Sequence, residues 1–447
     1  MADGSPWYRW VDTVIAAPKV YSRSLERTEI QFRRPILHTD VRMLGFSERT
    51  DLESALETLR ACVRPAGTES VLLERALGCT LARDIVSSIS VPSFDKSAMD
   101  GFAVRAAETF GASPTDPVTL EVVGEILPGD TGRLEVGPGK AVRIMTGGVF
   151  PKGADAVLMA EHSTDLGVAV LVHNPVVPGR NVARSGEDIR QGDTVLKRGR
   201  VLKPADLGVL ASIGVSEVSV SRRPTVGILS TGNELVEPDS EELGNPGVVV
   251  NSCRFLLEGL VSQTGGSARY LGTVQDDRDE LRAALEAFDG DILITTGATS
   301  TGKEDYLPGL VSELGDLLVH GVNIRPASPT AFGKLGDTLV LLLPGNPVAA
   351  WVGFDVFGRP AIQLSLGRPE ARLNRRHFGR LRRKLASALN RTDFVRVIVE
   401  EDGTVEPLRS GGAGILSSVT RADGFVIVPR DAEGLEAGTE VEVHLYQ

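Results

Sequence analysis

Five short runs between residues 222 and 368 are almost uninterruptedly apolar: 225–230, 268–274, 291–296, 319–324 and 338–343. Segments whose apolar residues recur at helical spacing separate most of them, at 253–261, 277–287, 306–314 and 348–366. Strands buried on both faces and alternating with helices predict an α/β domain with a doubly wound, mostly parallel sheet. Such sheets bind ligands in the crevice beyond the carboxyl ends of their strands.

The rest of the chain has other periods. Residues 92–188 carry short apolar runs (118–123, 140–144, 156–160, 168–172) punctuated by Gly, Pro and Asp, and predict a β-rich domain. Residues 47–91 and 189–221 predict a mixed helical linker domain. In it a first helix, capped by Thr50, places Leu52, Ala55, Leu56, Leu59 and Val63 on one face before Pro65. A second short helix is expected over 71–81, then extended chain to Pro92. A third helix over 204–214 is expected beside the first, so that the β part is an insertion. Residues 369–447 open on a basic stretch (Arg372, Arg375, Arg376, Arg380, Arg382, Arg383, Lys384) that reads as a solvated linker face. The runs 394–400, 424–428 and 440–445 then predict a small C-terminal β-barrel or sandwich. Residues 1–46, with Trp7, Tyr8 and Trp10 before an irregular basic segment, read either as a flexible extension or as a docking arm for a partner.

Composition narrows the function classes. A formal net charge of −11 with 5% aromatics argues against a general binder of nucleic acid or anionic membrane. Cys62, Cys79 and Cys253 are widely spaced and form no Cys-x-x-Cys pair, which excludes a thiolate zinc site and fits a reducing cytoplasm. The scattered histidines read as structural or surface residues. Asp3, Arg9 and Asp12 interrupt any leader-like apolar core, and no apolar run has the length of a membrane span.

The candidate chemistry lies at the strand ends. Ser230-Thr231-Gly232-Asn233-Glu234, Gln275-Asp276-Asp277 and Thr296-Gly297-Ala298-Thr299-Ser300-Thr301-Gly302-Lys303-Glu304-Asp305 each follow a predicted strand. Small, hydroxyl- and glycine-rich turns let backbone amides approach phosphate oxygens. Glu234, Asp276 and Asp305 would converge on one rim, where Mg²⁺ bridging to phosphate relieves their repulsion. Asp277 and Glu304 read equally well as helix caps. Pro344-Gly345-Asn346-Pro347 ends a further strand. In the β part, Asp95, Asp100, Thr146 and Asp188 sit among Gly, Ser and Pro, as residues of loops facing a cleft do and as turn-stabilising residues do.

Together, the strings at 92–105, Ile144-Met145-Thr146-Gly147, Gly186-Glu187-Asp188-Ile189, Ser230 to Glu234, Asp276-Asp277 and Leu343 to Pro347 resemble the signature of the MoeA and gephyrin E-domain family, in order and spacing, over roughly residues 47–447. The resemblance implies a homodimer that inserts molybdate into adenylylated molybdopterin and, with Mg²⁺, releases AMP. It implies that Glu234, Asp276 and Asp305 handle the metal and the pterin phosphates. Asp95, Asp100, Thr146 and Asp188 would come from the β domain, across the dimer, to close the cleft. Ser230, Thr231, Gly232, Gly297, Ser300, Gly302, Lys303, Arg325, Lys334, Pro344, Gly345, Asn346, Arg391 and Ser417 would bind substrate. The chain departs from the family where Gly-Gly-Val-Ser becomes Gly297-Ala298-Thr299-Ser300 and Pro-Gly-Lys-Pro becomes Pro326-Ala327-Ser328-Pro329. A basic residue of many relatives falls near Gly321, and Cys253 stands where Asn is common. Lys303, Lys334 or Arg325 are the cations available to compensate. These departures motivate two alternatives: a non-catalytic scaffold on the same fold, with partners among other cofactor-biosynthesis proteins or through residues 1–46, or an enzyme for tungstate or another nucleotide-linked substrate.

Overall fold

In the computed structural model, the apolar runs form a six-stranded sheet from β1 (Thr225–Thr231), β2 (Ser267–Val274), β3 (Ile292–Thr296), β4 (Asp316–His320), β5 (Ala331–Leu335) and β6 (Thr338–Leu343). The order is β2-β1-β3-β6-β5-β4; the first four are parallel, and β5 runs antiparallel to both its neighbours. The structure describes residues 49–131, 133–297, 306–368, 376–408 and 414–446.

Successive side chains of a strand face opposite sides, and both sides of this sheet are covered. Val226, Ile228, Ile292, Ile294, Leu339, Leu341 and Leu343 pack on one side with α1 (Ser252–Thr264) and the helical run from Pro347 to Ser365. Leu229, Leu293, Val340 and Leu342 pack on the other with α2 (Arg278–Ala287) and α3 (Leu307–Leu314). That explains why the runs are continuously apolar rather than alternating.

Four local expectations need correction. The strand expected at 319–324 is Asp316–His320; Gly321 turns the chain at φ 80°, and Ile324–Arg325 leaves to pair in parallel with Thr392 and Asp393. β5 was hidden because Gly333 and Lys334 break its apolar run, although Gly336-Asp337 makes the two-residue hairpin that joins it to β6. The helix Leu52–Cys62 is capped by Asp51, which accepts from the Ser54 amide at 3.0 Å, not by Thr50. Its apolar face joins the α/β core through Leu52, Ala55, Leu56 and Leu59. Within 71–81 the helical part is a 3₁₀ turn, Leu73–Arg75, which follows the strand Thr68–Leu72 and precedes Gly78 at φ 76°.

The C-terminal strands β7 (Arg376–Leu381), β8 (Thr392–Val399), β9 (Thr404–Pro407), β10 (Gly424–Val428) and β11 (Glu440–Leu445) close in the order β8-β9-β7-β11-β10-β8. Closure removes free sheet edges. The chain divides into two compact units, one of residues up to Glu69 with Gly78–Ala82 and Val220 onward, the other of Ser70–Leu77 with Arg83–Ser219. The second unit holds its own six-stranded sheet, with a core that includes Phe102, Val104, Leu120, Leu158, Val170 and Val172. Among the described residues, no helix is long and apolar enough to cross a membrane.

On the outer face of the barrel, where Phe425 joins the α/β core, His444 is stacked on Phe425, ring centroids 5.1 Å apart, and burial holds its pKa down at about 4 instead of 6.5. Between those values the unfolded chain binds the extra proton, so stability falls as pH drops from 6.5 toward 4, by up to about 3 kcal/mol for this group. The neighbouring Glu442, pushed up by burial, works in the opposite sense. Denaturant unfolding at pH 7 and pH 4.5 should therefore show a smaller acid loss for His444→Phe than for the parent chain. An equal loss would remove His444 as its cause.

Candidate active site

Three strand ends meet through glycines. Gly232 follows β1 at φ 149°, a conformation that favours glycine, and the Glu234 side chain folds over the turn, its carboxylate 2.7 Å from where a Cβ would stand. Gly297 follows β3 at φ 95°, where a Cβ would stand 2.3 Å from the Thr231 carbonyl oxygen. Gly345 follows β6, its side-chain direction 3.4 Å from the Gly297 Cα. Gly297 donates to the Leu343 carbonyl at 3.3 Å, and Thr231 Oγ1 to the Thr296 carbonyl at 3.2 Å. Ser230 and Thr231 are buried beneath these turns.

The carboxylates divide by role. The Asp276 amide donates to Asn233 Oδ1 at 3.1 Å, which puts the Glu234 and Asp276 loops side by side. Glu234 is exposed and Asp276 half-buried. Asp277 instead caps α2, accepting from the Asp279 and Glu280 amides at 2.9 and 3.0 Å. Ser300, Gly302, Lys303 and Asp305 lie outside the described residues, as does Ala298. Among the described residues no group of three or more His, Cys, Asp or Glu could hold a metal ion. The two adjoining loops bring one carboxylate each, and Mg²⁺, which keeps several waters, is usually held by one or two carboxylates plus substrate phosphates.

Beside the Pro344–Asn346 turn opens a cavity of about 570 Å³. Arg49, Arg325, Arg383, Lys384, Arg391 and Arg396 line it, and Asp393 is the carboxylate among them. The pairing of Ile324–Arg325 with the start of β8 brings these groups together. Asp393, buried, accepts from Arg391 Nε at 2.9 Å and lies 3.9 Å from Arg325 Nη1. Arg383 is held by Glu406 and the Pro407 carbonyl, and Lys384 by Glu436 at 2.6 Å. Arg396 is 5% exposed, its Nε has no partner among the described residues, and burial pushes its guanidinium pKa down. An unpaired N–H beside a cationic cavity calls for an anion. Ala327, also in the lining, holds φ 78°, the conformation a glycine would adopt without cost.

Sequence reasoning missed Arg49 and Arg396 and took Arg383 and Lys384 for a solvated face. No local pattern marks them, because barrel closure assembles them. Lys334 is not brought to this cleft. It pairs with Leu339 at the amino end of β6, the far edge of the sheet from Leu343, because the hairpin reverses direction. Ser417 stands exposed at the start of the helix Ser417–Thr420, three residues after Gly414, where a Cβ would lie 3.6 Å from Asn346 Oδ1.

In the second unit, three strings come together. Gly147 donates to the Ser97 carbonyl at 2.8 Å, Phe150 to that of Asp95 at 2.9 Å and Gly186 to that of Pro92 at 2.9 Å. Asp100 accepts from both the Thr146 amide and hydroxyl at 2.7 Å, which holds its pKa down. Asp95 accepts from the Ser185 amide at 2.8 Å and Arg184 Nη1 at 2.6 Å, with the same consequence. Asp188 is exposed on the third string. Asp95 and Asp100 thus accept on turns, with Thr146 as donor to Asp100.

Comparison with known proteins agrees with this architecture. Residues 50–214 match the MoeA N-terminal region (domains I and II), 227–364 a probable molybdopterin binding domain, and 379–446 the MoeA C-terminal region (domain IV). The chain is 36% identical over 400 residues to molybdopterin molybdenumtransferase 2 of Mycobacterium tuberculosis, covering 87% of this chain and 96% of that protein. It is 37% identical over 393 residues to molybdopterin molybdenumtransferase of Bacillus subtilis, covering 85% and 90%. The crystal structure of the molybdopterin biosynthesis MoeA protein from Pyrococcus horikoshii OT3 superposes with a TM-score of 0.79 at 32% identity, over 89% of this chain and all of that one. With this identity sustained over nearly the whole length of both relatives, and the fold in register with that crystal structure, the chain belongs to the MoeA family of molybdopterin molybdenumtransferases.

Proposed function

We propose that this protein inserts molybdate into adenylylated molybdopterin and releases AMP, acting as a cytoplasmic homodimer. The observation that carries the reading is the cationic cavity opening beside the Pro344–Asn346 turn, at the same carboxyl edge of the sheet as the loops that bear Glu234 and Asp276. A dianionic oxyanion needs positive charge that is already desolvated, and the buried Arg396 supplies it with Arg325 and Arg391. The glycine turns at Gly232, Gly297 and Gly345 let substrate phosphates approach the backbone closely. Glu234 and Asp276 would hold Mg²⁺, which would supply charge neutralisation at the pyrophosphate. Asp95, Asp100, Thr146 and Asp188 are proposed to act on the same substrate.

Ala327 favours the enzyme over a scaffold that has lost its activity. Its left-handed φ, costing about 1–2 kcal/mol for a residue with a Cβ, preserves the turn beside the cavity. Incubating the purified protein with adenylylated molybdopterin, molybdate and Mg²⁺ should release AMP in proportion to enzyme. Release no faster than in buffer would overturn the reading. Replacing molybdate by tungstate in the same assay identifies the preferred oxyanion.

A further inference from the structure

The first turn of α1 touches two strand-end loops at once. Asn251 Oδ1 accepts from Ser230 Oγ at 3.3 Å and from the Arg254 amide at 3.2 Å, capping the helix. Its Nδ2 donates to Tyr270 Oη at 3.0 Å and Thr273 Oγ1 at 3.2 Å. The turn is thereby tied to the ends of β1 and β2. Two residues on, Cys253 Sγ lies 3.2 Å from the Gly345 carbonyl oxygen. Asn346 makes no side-chain capping bond to the helix it precedes.

We propose that Cys253 is a positioning residue: its thiol, donating to the Gly345 carbonyl, fixes the Pro344–Asn346 turn relative to Gly297 and the cationic cavity. The inference rests on the functional reading above and adds a residue to it. Pro344 and Asn346 line the cavity while Gly345 abuts Gly297, so a shift of this turn changes the fit of both the oxyanion and the loops behind it. Cys253 is 6% exposed, and burial raises its pKa to about 11, so it remains an S–H donor throughout the working pH range. An S–H is a weak donor, so the effect expected is modest and should appear in binding.

The test compares Cys253→Ser, which keeps a donor, with Cys253→Ala, which removes it. The alanine variant should raise the KM for molybdate about three- to tenfold with kcat little changed, and serine should stay within about twofold of the parent. Both variants should lose thermal stability alike, since both remove a buried sulfur. Hydrogen exchange at 345–350, measured without substrate, should quicken in Cys253→Ala and not in Cys253→Ser. Equal KM and equal exchange in the two variants would overturn the proposal. A parent protein that releases no AMP but shows the exchange difference would leave the positioning role standing and remove the functional reading.

Discussion

Asp355→Ala should cost about 3–5 kcal/mol of stability, because it strips a buried cation of its partner. Asp355 and Arg359 are 4% and 5% exposed at their side chains. Arg359 donates Nε and Nη2 to Asp355 Oδ1 at 2.9 and 2.8 Å, and Trp351 Nε1 donates to Oδ2 at 2.9 Å. Burial pushes the Asp355 carboxyl up more than Arg359 pulls it down, so the pair is costly to bury and costlier to break. It sits in a π-helical turn, Phe354–Gly358, between the helices Pro347–Gly353 and Arg359–Ser365 that pack on the sheet. Urea unfolding followed by Trp351 fluorescence reads the effect directly. The double replacement Asp355→Leu with Arg359→Met should recover most of the loss, as apolar groups of similar volume do for buried pairs. A single alanine variant as stable as the parent would show that solvent reaches Arg359 there.

How far the sequence is legible depends on the range of the contacts. β1, β3 and β6 could be read because burial on both faces needs only a local apolar run, and their flanking Gly and Pro mark the ends. β5 could not, since Gly333 packs against the Asp316 carbonyl, where a Cβ would lie 2.3 Å away. That demand comes from β4, seventeen residues earlier in chain order at Asp316. The carboxylate turns were legible for the same local reason as the strands they follow. The cations of the cavity were not. Arg396 lies in a β-strand whose neighbours are set by closure of the barrel, and Arg49 is placed by Thr50, whose amide donates to the Gly321 carbonyl at 3.0 Å. Lys334 illustrates the opposite error: it counts among the cations available to compensate for the family's lost basic residues, and an antiparallel hairpin carries it to the other edge.

Glu234→Gln should lower AMP release on the order of 100-fold or more at limiting Mg²⁺, with part of the loss recovered as Mg²⁺ is raised. The amide is nearly isosteric, so it keeps the packing over Gly232 and removes only the charge. The backbone here is independently held: Val249 donates to the Glu234 carbonyl at 2.9 Å, and Leu235–Val236 pairs in parallel with Val249–Val250. Since Glu234 is exposed, the thermal midpoint should not move. Asp277→Ala is the matching control. It removes the α2 cap, which costs about 1 kcal/mol of stability, and should leave AMP release unchanged because that carboxylate is spent on the Asp279 and Glu280 amides. Adjacent acidic residues would then separate cleanly, Asp276→Asn behaving like Glu234→Gln and Asp277→Ala like a cap deletion. If Glu234→Gln and Asp276→Asn both turn over at the parent rate across the Mg²⁺ titration, the metal is held elsewhere and the strand-end carboxylates are not part of the reaction.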